Sequence, residues 1–297
     1  MKNALILINE CSGAVSTLGV KECISGLSEH IPDIAHITVA NGHPGSLIEK
    51  AKDAIEAGNT EYIIVLGGDG TLAAIAGIVA GHNVRLVPLP GGTMNAFSRD
   101  LGYDADLRNA ISQIPTLKER QVDLAFANEF AFLNNIVFGT YTAVADSREQ
   151  LRDAEGILET IDSVTEIIGS LTHTTVEQYR LHIDGHESVA ETNTIMAANN
   201  IYEGAEALRP IRSSLDKGVI GLYVASSSSA LDFITTLSDA VTGNLASSEL
   251  IDFSECKKLS VSTDSGYLSV TIDGEAMELP SPINVETRHK ALRVLAP

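Results

Sequence analysis

Three short stretches of the chain place glycines beside side chains that can handle a phosphate, a metal ion or a proton. The first, Gly67-Gly68-Asp69-Gly70-Thr71, follows the apolar run Tyr62–Leu66. Three glycines in four positions allow a turn with φ > 0 and backbone N–H groups open to a ligand, and Thr71 is placed to cap a helix starting at Leu72. A strand, a glycine turn and a helix N-terminus together make a phosphate cradle. Asp69 is the odd member. A carboxylate repels a polyphosphate unless it holds a divalent cation or accepts a proton, and both are tasks in phosphoryl transfer. No Lys-Ser or Lys-Thr follows the glycines, so this is not a Walker loop, and the spacing G-x-G-x-x-G is absent. The competing reading is a plain glycine turn of a doubly wound sheet.

The second stretch is Pro90-Gly91-Gly92-Thr93-Met94-Asn95. Thr93 and Asn95 offer hydrogen bonds to a phosphate, a ribose or a base, beside N–H groups that the glycines leave open. Taken alone it reads equally as a turn and a helix cap. The third is Thr271-Ile272-Asp273-Gly274-Glu275, whose Asp-Gly pair is a hairpin turn by itself. Asp273 and Glu275 flanking a glycine can supply a metal ligand and a general base if that corner faces the two phosphate turns.

The elements that must carry these stretches follow from the hydrophobic pattern. Ala4–Ile8, Ile34–Val39, residues 62–66 and Val84–Pro88 read as four buried strands. Helical runs lie between them, one reaching Glu29 and another covering Leu47–Ala57. Strands alternating with helices predict a parallel sheet covered by helices, which binds ligands beyond its C-terminal strand ends. Both glycine turns fall on that edge. After about Arg120 the rhythm changes to strands at Gln121–Ala127, Ala131–Phe138, Val176–Ile183, Ser188–Ala198, Val219–Ala225, Leu259–Thr263, Leu268–Ile272 and Ile283–Val285. Turns such as Asp184-Gly185 between them predict an antiparallel second domain. Gln150–Leu171 has helical spacing with acidic polar residues, which favours packing over a membrane surface, and Ser226–Ser229 caps a helix starting near Leu231.

At 297 residues and 44% apolar content, two domains with real cores are expected. The net charge of −19 argues against a nucleic-acid partner and against simple docking on an anionic membrane. Residues 1–125 carry −5 of it and the remainder −14. Cys11, Cys23 and Cys256 have neither disulfide-framework nor zinc spacing. No apolar run approaches the ~20 residues of a membrane span, and the early Glu10 is foreign to a signal peptide. A cytoplasmic protein with no transmembrane segment is expected.

Taken together, GGDGT at 67–71, PGGTMNAFSRDLG at 90–102, NECSG at 9–13, ANNIYEGAEALRP at 198–210 and DGE at 273–275 resemble the diacylglycerol kinase catalytic-domain family. Soluble bacterial lipid kinases and sphingosine kinases belong to it. The resemblance extends over nearly the whole chain in order, and the terminal LRVLAP resembles the family's closing strand.

The resemblance implies an α/β N-terminal domain over 1–122, phosphofructokinase-like with helices on both faces of a parallel sheet. A mainly antiparallel β-sandwich over 123–287 would follow, with the tail 288–297 returning to the first domain. It implies ATP and Mg²⁺ as cofactors and a lipid hydroxyl, presented at a membrane surface, as acceptor. Gly67, Gly68, Asp69, Gly70 and Thr71 would hold the ATP phosphates, with Asn9, Ser12 and Gly13 beside them and Thr38, Thr93 and Asn95 on the nucleotide. Asp273, Gly274 and Glu275 would complete the site. Glu275 matches the family's proton acceptor, Asp69 is its counterpart in the sphingosine branch, and the two stay open. Asp69 and Asp273 are the metal candidates. Asp216 matches a structural Mg²⁺ site, but Lys217 brings a cation where a second acid is usual. Glu10 replaces a customary proline, and Glu203-Gly204-Ala205-Glu206 replaces paired glycines after Tyr202. An NAD kinase-type enzyme and a non-catalytic nucleotide- or lipid-binding protein are the alternatives, and a homodimer is left open.

Overall fold

In the computed structural model, which describes residues 1–139, 176–206, 209–226 and 243–297, the apolar runs form strands and the glycine turns end them. The described residues divide into two units. The first comprises Met1–Ala125, Phe130–Asn134 and Arg288–Pro297, and the second Phe126–Glu129 and Asn135–Thr287.

The first unit contains, in order, β1 (Ala4–Asn9), α1 (Gly13–Leu18), α2 (Val20–His30), β2 (Ile34–Ala40), α3 (Gly45–Ala57), β3 (Tyr62–Gly67) and α4 (Asp69–Val79). It continues through β4 (Arg85–Pro90), α5 (Ala96–Asp100), α6 (Leu107–Ser112), β5 (Lys118–Ala127) and β6 (Phe130–Phe132). Strands pair in the order β2-β1-β3-β4, all parallel. Ile63, Ile64, Val65 and Leu66 are wholly buried in β3, as are Leu7 and Ile8 in β1, because helices cover both faces. On one side α2 packs against α6, and on the other α3 packs against α4. β2 is the edge strand and, of these four, alone shows exposed positions along its length. The helix expected through Glu29 is two helices, broken where Gly19 takes φ +92°.

The second unit begins at β7 (Asn135–Gly139). It continues with β8 (Glu177–Ile183), β9 (His186–Thr192), β10 (Thr194–Asn199), the short β11 (Ala205–Glu206) and β12 (Arg209–Pro210), and β13 (Ile220–Ala225). Then come β14 (Ile251–Cys256), β15 (Lys258–Ser262), β16 (Tyr267–Ile272), β17 (Glu275–Pro280) and β18 (Ile283–Ala296). One antiparallel sheet has the order β14-β13-β10-β7-β16-β17. In the other, β9, β8, β15 and the first residues of β18 pair antiparallel. Tyr179, Leu181, Leu259 and Val261 alternate with exposed or half-buried neighbours, so one face of that sheet is core.

Several strand expectations change. Ser188–Ala198 is two strands, because the chain leaves one sheet and enters the other at Asn193. Gly139 takes φ +92° beside that switch, and a Cβ there would lie 2.2 Å from the Asn193 carbonyl oxygen. Ala131–Phe138 is also two strands, interrupted at Leu133 and Asn134 where the chain passes between units. Ile283–Val285 grows to fourteen residues: β18 continues into the first unit, where Val294 pairs parallel with Leu86 of β4. The helices expected at Gln150–Leu171 and near Leu231 fall outside the described residues.

Candidate active site

The order β2-β1-β3-β4 reverses direction between β1 and β3, so the loops leaving those two strands diverge and open a crevice at their C-terminal ends. The turn at residues 10–12 follows β1, and Gly68 follows β3. The glycines there serve a purpose other than the expected one. Gly67, Gly68, Gly91 and Gly92 all keep φ outside the left-handed region. Gly91 and Gly92 instead need bare backbone, while a Cβ on Gly67 would meet the Thr71 side chain at 2.9 Å. A Cβ on Gly91 would lie 2.5 Å from the Gly67 nitrogen, and one on Gly92 would lie 2.6 Å from the Gly68 Cα. Two consecutive glycine pairs therefore stack backbone on backbone, joining the turn after β3 to the turn after β4. A third turn joins them: Ala14 and Val15 donate to the Gly91 carbonyl at 3.0 and 3.2 Å, and Gly13 approaches Thr93.

Thr71 is not the helix cap. α4 starts two residues earlier at Asp69, with Gly68 as its extended N-cap, and Thr71 is buried in the first turn. The opening N–H groups of a helix have no acceptor within it, so residues 69–71 present donors at a positive helix end. Asp69 stands there with its carboxylate turned to α5. Ala96 N donates to Oδ2 at 3.3 Å, Phe97 N donates to Oδ1 at 3.3 Å, and the Asn134 amide donates to Oδ1 at 3.4 Å.

Asn95 is buried and its side chain is occupied: Gly92 N donates to its Oδ1 at 2.7 Å and its Nδ2 donates to the Gly92 carbonyl at 2.8 Å. Asn95 sits at φ +51°, a conformation costing roughly 1 kcal/mol or more for an L-residue. Two hydrogen bonds of about 1 kcal/mol each offset that cost. Asn95 thus shapes the glycine turn, while Thr93 and Met94 are the exposed side chains of this loop. Asn9 works similarly, donating to the Gly42 carbonyl at 2.8 Å and accepting from Cys11 N. Ser12 is the N-cap position of α1. Thr38 pairs with Leu7, two residues short of the end of β2, and its buried hydroxyl has no hydrogen-bond partner among the described residues.

In the second unit, Asp273 (φ +47°) and Gly274 (φ +93°) form the two-residue turn between β16 and β17, with Ile272 opposite Glu275. Asp273 N donates to the Asn135 carbonyl at 3.0 Å, and Asn135 N donates back to Asp273 Oδ1 at 3.0 Å. Asn135 Nδ2 also donates to the Tyr202 hydroxyl at 2.9 Å. Asp273 is therefore a turn-holding residue, and Glu275 is the exposed carboxylate beside it.

The first-unit residues suit a nucleotide and a divalent cation. The close-packed glycines bring the turns after β1, β3 and β4 together, the α4 N-terminus offers donors to phosphate, and Asp69 offers the hard oxygens that Mg²⁺ prefers. Asp216 Oδ1 accepts from the Ser214 hydroxyl at 2.9 Å, and the neighbouring Lys217 ammonium lies 2.6 Å from Glu203. Among the described residues no three His, Cys, Asp or Glu side chains gather as a metal site. Asn134 and Asn135 went unnoticed in the sequence, where they sit inside an apparent strand. An amide pair interrupting an apolar run was the available signal.

A parallel α/β unit with close-packed glycine turns at its switch point, joined to an antiparallel β unit, defines a two-domain α/β-plus-β protein. Residues 3–127 match the diacylglycerol kinase catalytic domain, and residues 135–296 match the YegS C-terminal NAD kinase beta sandwich-like domain. The chain belongs to the family that joins a diacylglycerol kinase catalytic domain to a YegS-type C-terminal domain. It is 26% identical over 290 residues to a "putative lipid kinase" of Staphylococcus haemolyticus, covering 93% of this chain and 92% of that one. A "putative lipid kinase" of Staphylococcus aureus strain JH9 is 26% identical over 293 residues, with 97% and 92% covered. The crystal structure of a "putative diacylglycerol kinase" from Bacillus anthracis superposes with a TM-score of 0.77 at 22% identity, covering 100% of this chain and 97% of that one. A second Bacillus anthracis structure gives 0.72 at 21% identity over the same shares of both chains. These structures establish the shared fold.

Proposed function

We propose that the protein transfers the γ-phosphoryl group of ATP to the hydroxyl of a diacylglycerol-like lipid. The observation that carries this reading is the stacking of Gly67-Gly68 on Gly91-Gly92 with Asp69 at the open end of α4, in a chain of this family. The acceptor oxygen attacks the γ-phosphorus, the bond from that phosphorus to the bridging oxygen breaks, and ADP leaves. The hydroxyl proton passes to a carboxylate. Glu275 is favoured for the proton because it is exposed, whereas Asp273 already accepts from Asn135 N–H. Asp69 would hold Mg²⁺, which supplies charge neutralisation at the phosphates when bound. The N–H groups at residues 69–71 orient the phosphates, and the Asn95 clamp keeps the second glycine turn in shape for them. No Lys follows the glycines, so compensation of phosphate charge falls on backbone dipoles and the bound cation.

The acceptor works at a lipid surface in this reading, and among the described residues no helix is long and apolar enough to cross a membrane. The description of the second matched domain as NAD kinase-like keeps one other acceptor in view, the ribose hydroxyl of NAD. Incubation with labelled ATP and either diacylglycerol micelles or NAD separates the two. Label in the lipid supports the proposal, and label in the dinucleotide replaces it.

A further inference from the structure

Asp69 is held by three donors of two kinds. Two are backbone N–H groups at the start of α5, and the third is the side-chain amide of Asn134, a residue only 5% exposed. Asn134 reaches the turn because the β5–β6 hairpin is seated on α4. Ala131 of β6 lies so close that a Cβ on Gly77 would come within 2.8 Å of the Ala131 Cβ. The helix that begins with Asp69 is thus the same helix that locates the segment carrying Asn134.

We propose that Asn134 is a positioning residue for Asp69 in phosphoryl transfer, which rests on the kinase reading above. A neutral amide is the donor suited to this place. It orients Oδ1 while leaving the carboxylate charge available, whereas a Lys or Arg would neutralise that charge and a second acid would repel it. All three donor distances are 3.3–3.4 Å, longer than a typical N–H···O bond. The carboxylate is aimed but lightly held, free to take a stronger partner when the nucleotide arrives. Without Asn134, Oδ1 keeps one donor, Phe97 N, and the side chain turns away from the reacting phosphate more often.

The test compares Asn134→Leu, similar in size without a donor, Asn134→Asp, equal in shape with a charge replacing the donor, and Asn134→Ser, which retains a small donor. Each full-length variant is assayed for kcat and for KM of ATP with diacylglycerol in mixed micelles, beside a thermal melt and an Asp69→Asn control. The expected result is a kcat lowered roughly 10- to 100-fold in Asn134→Leu, at least as far in Asn134→Asp, and partly restored in Asn134→Ser. KM for ATP should move less than about threefold, because the phosphate contacts are backbone ones. The proposal is overturned if Asn134→Leu keeps wild-type kcat, if Asn134→Ser is no better than Asn134→Leu, or if the fall in kcat comes with a KM for ATP raised well beyond threefold and a lowered melting temperature. Wild-type turnover in Asp69→Asn would instead remove the role of Asp69 on which the inference stands.

Discussion

Gly92 stands against Gly68 with no room for a side chain between them: a Cβ added to Gly92 would lie 2.6 Å from the Gly68 Cα. The neighbours are as close: a Cβ added to Gly91 would lie 2.5 Å from Gly67 N. These contacts are backbone to backbone, so no flexible side chain can yield to an added methyl group. Gly92→Ala must separate the turns after β3 and β4. Overpacking of this kind costs about 1–3 kcal/mol, so a lower melting temperature is expected together with at least tenfold weaker ATP binding by calorimetry. Wild-type ATP affinity in Gly92→Ala would show that the stacked turns do not form the phosphate cradle.

Asp273 and Glu275 are two residues apart and should separate stability from chemistry. Asp273 occupies a positive-φ turn position and accepts from Asn135 N, so Asp273→Ala leaves a donor unpaired and adds backbone strain. A loss of about 1–3 kcal/mol is expected by urea titration. Glu275 is exposed, so Glu275→Gln should leave the urea midpoint unchanged while lowering kcat at least a hundredfold. Full turnover in Glu275→Gln would pass the proton-accepting role to Asp69.

Cys11 offers a probe of the turn after β1. It is exposed, with Sγ 3.2 Å from Asn41 Oδ1, whereas Cys23 and Cys256 are buried. Burial raises the Cys23 thiol and, with Asp184 nearby, pushes Cys256 up to about 12. A thiol reagent should therefore modify one cysteine quickly in the native protein. ATP should slow that reaction if the turn at residues 9–13 flanks the phosphates. Equal rates with and without saturating ATP would place the nucleotide away from this turn.

How much of this was legible in the sequence depended on whether a feature is local. Continuous β-branched runs such as Ile63-Ile64-Val65 announce a buried parallel strand, and the Asp273-Gly274 pair announces a tight hairpin, because each requirement lies within a few residues. Gly91 and Gly92 announce only that a glycine is needed. Whether the need is a left-handed φ or a bare backbone depends on a partner some twenty-five residues away, and here it is the second. The sheet switch at Asn193 had a local signal, the four polar residues Glu191–Thr194 that break the apolar pattern between Ser188 and Ala198, but nothing in it names a second sheet. Asn134 was hidden for a related reason, since its partner Asp69 is distant in the chain and only the seating of β6 on Gly77 brings them together. The family resemblance, by contrast, rests on short motifs, each read within a few consecutive residues.

The Glu203–Lys217 pair yields a pH dependence of known sign. The Lys217 ammonium first, and the Ser213 hydroxyl second, hold the Glu203 carboxyl below its ordinary value. A folded-state value below the unfolded one stabilises the protein above the unfolded value, and that contribution is lost as pH falls through the folded one. The pair is half-exposed, so its worth is about 0.2–1 kcal/mol and is screened by salt. Urea midpoints of wild type and Glu203→Gln should differ at pH 7 and converge below the ordinary carboxylate range. A difference that persists at pH 3 would assign the effect to packing.

The central claim is transfer of phosphate from ATP to a lipid hydroxyl at a site containing Asp69. It is tested most directly by incubating the full-length protein with γ-labelled ATP, Mg²⁺ and mixed micelles of diacylglycerol, then partitioning the products between water and chloroform. The expected result is labelled phospholipid in the organic phase for wild type and none for Asp69→Asn. Label confined to the aqueous phase, or a lipid product made equally by Asp69→Asn, would contradict the account.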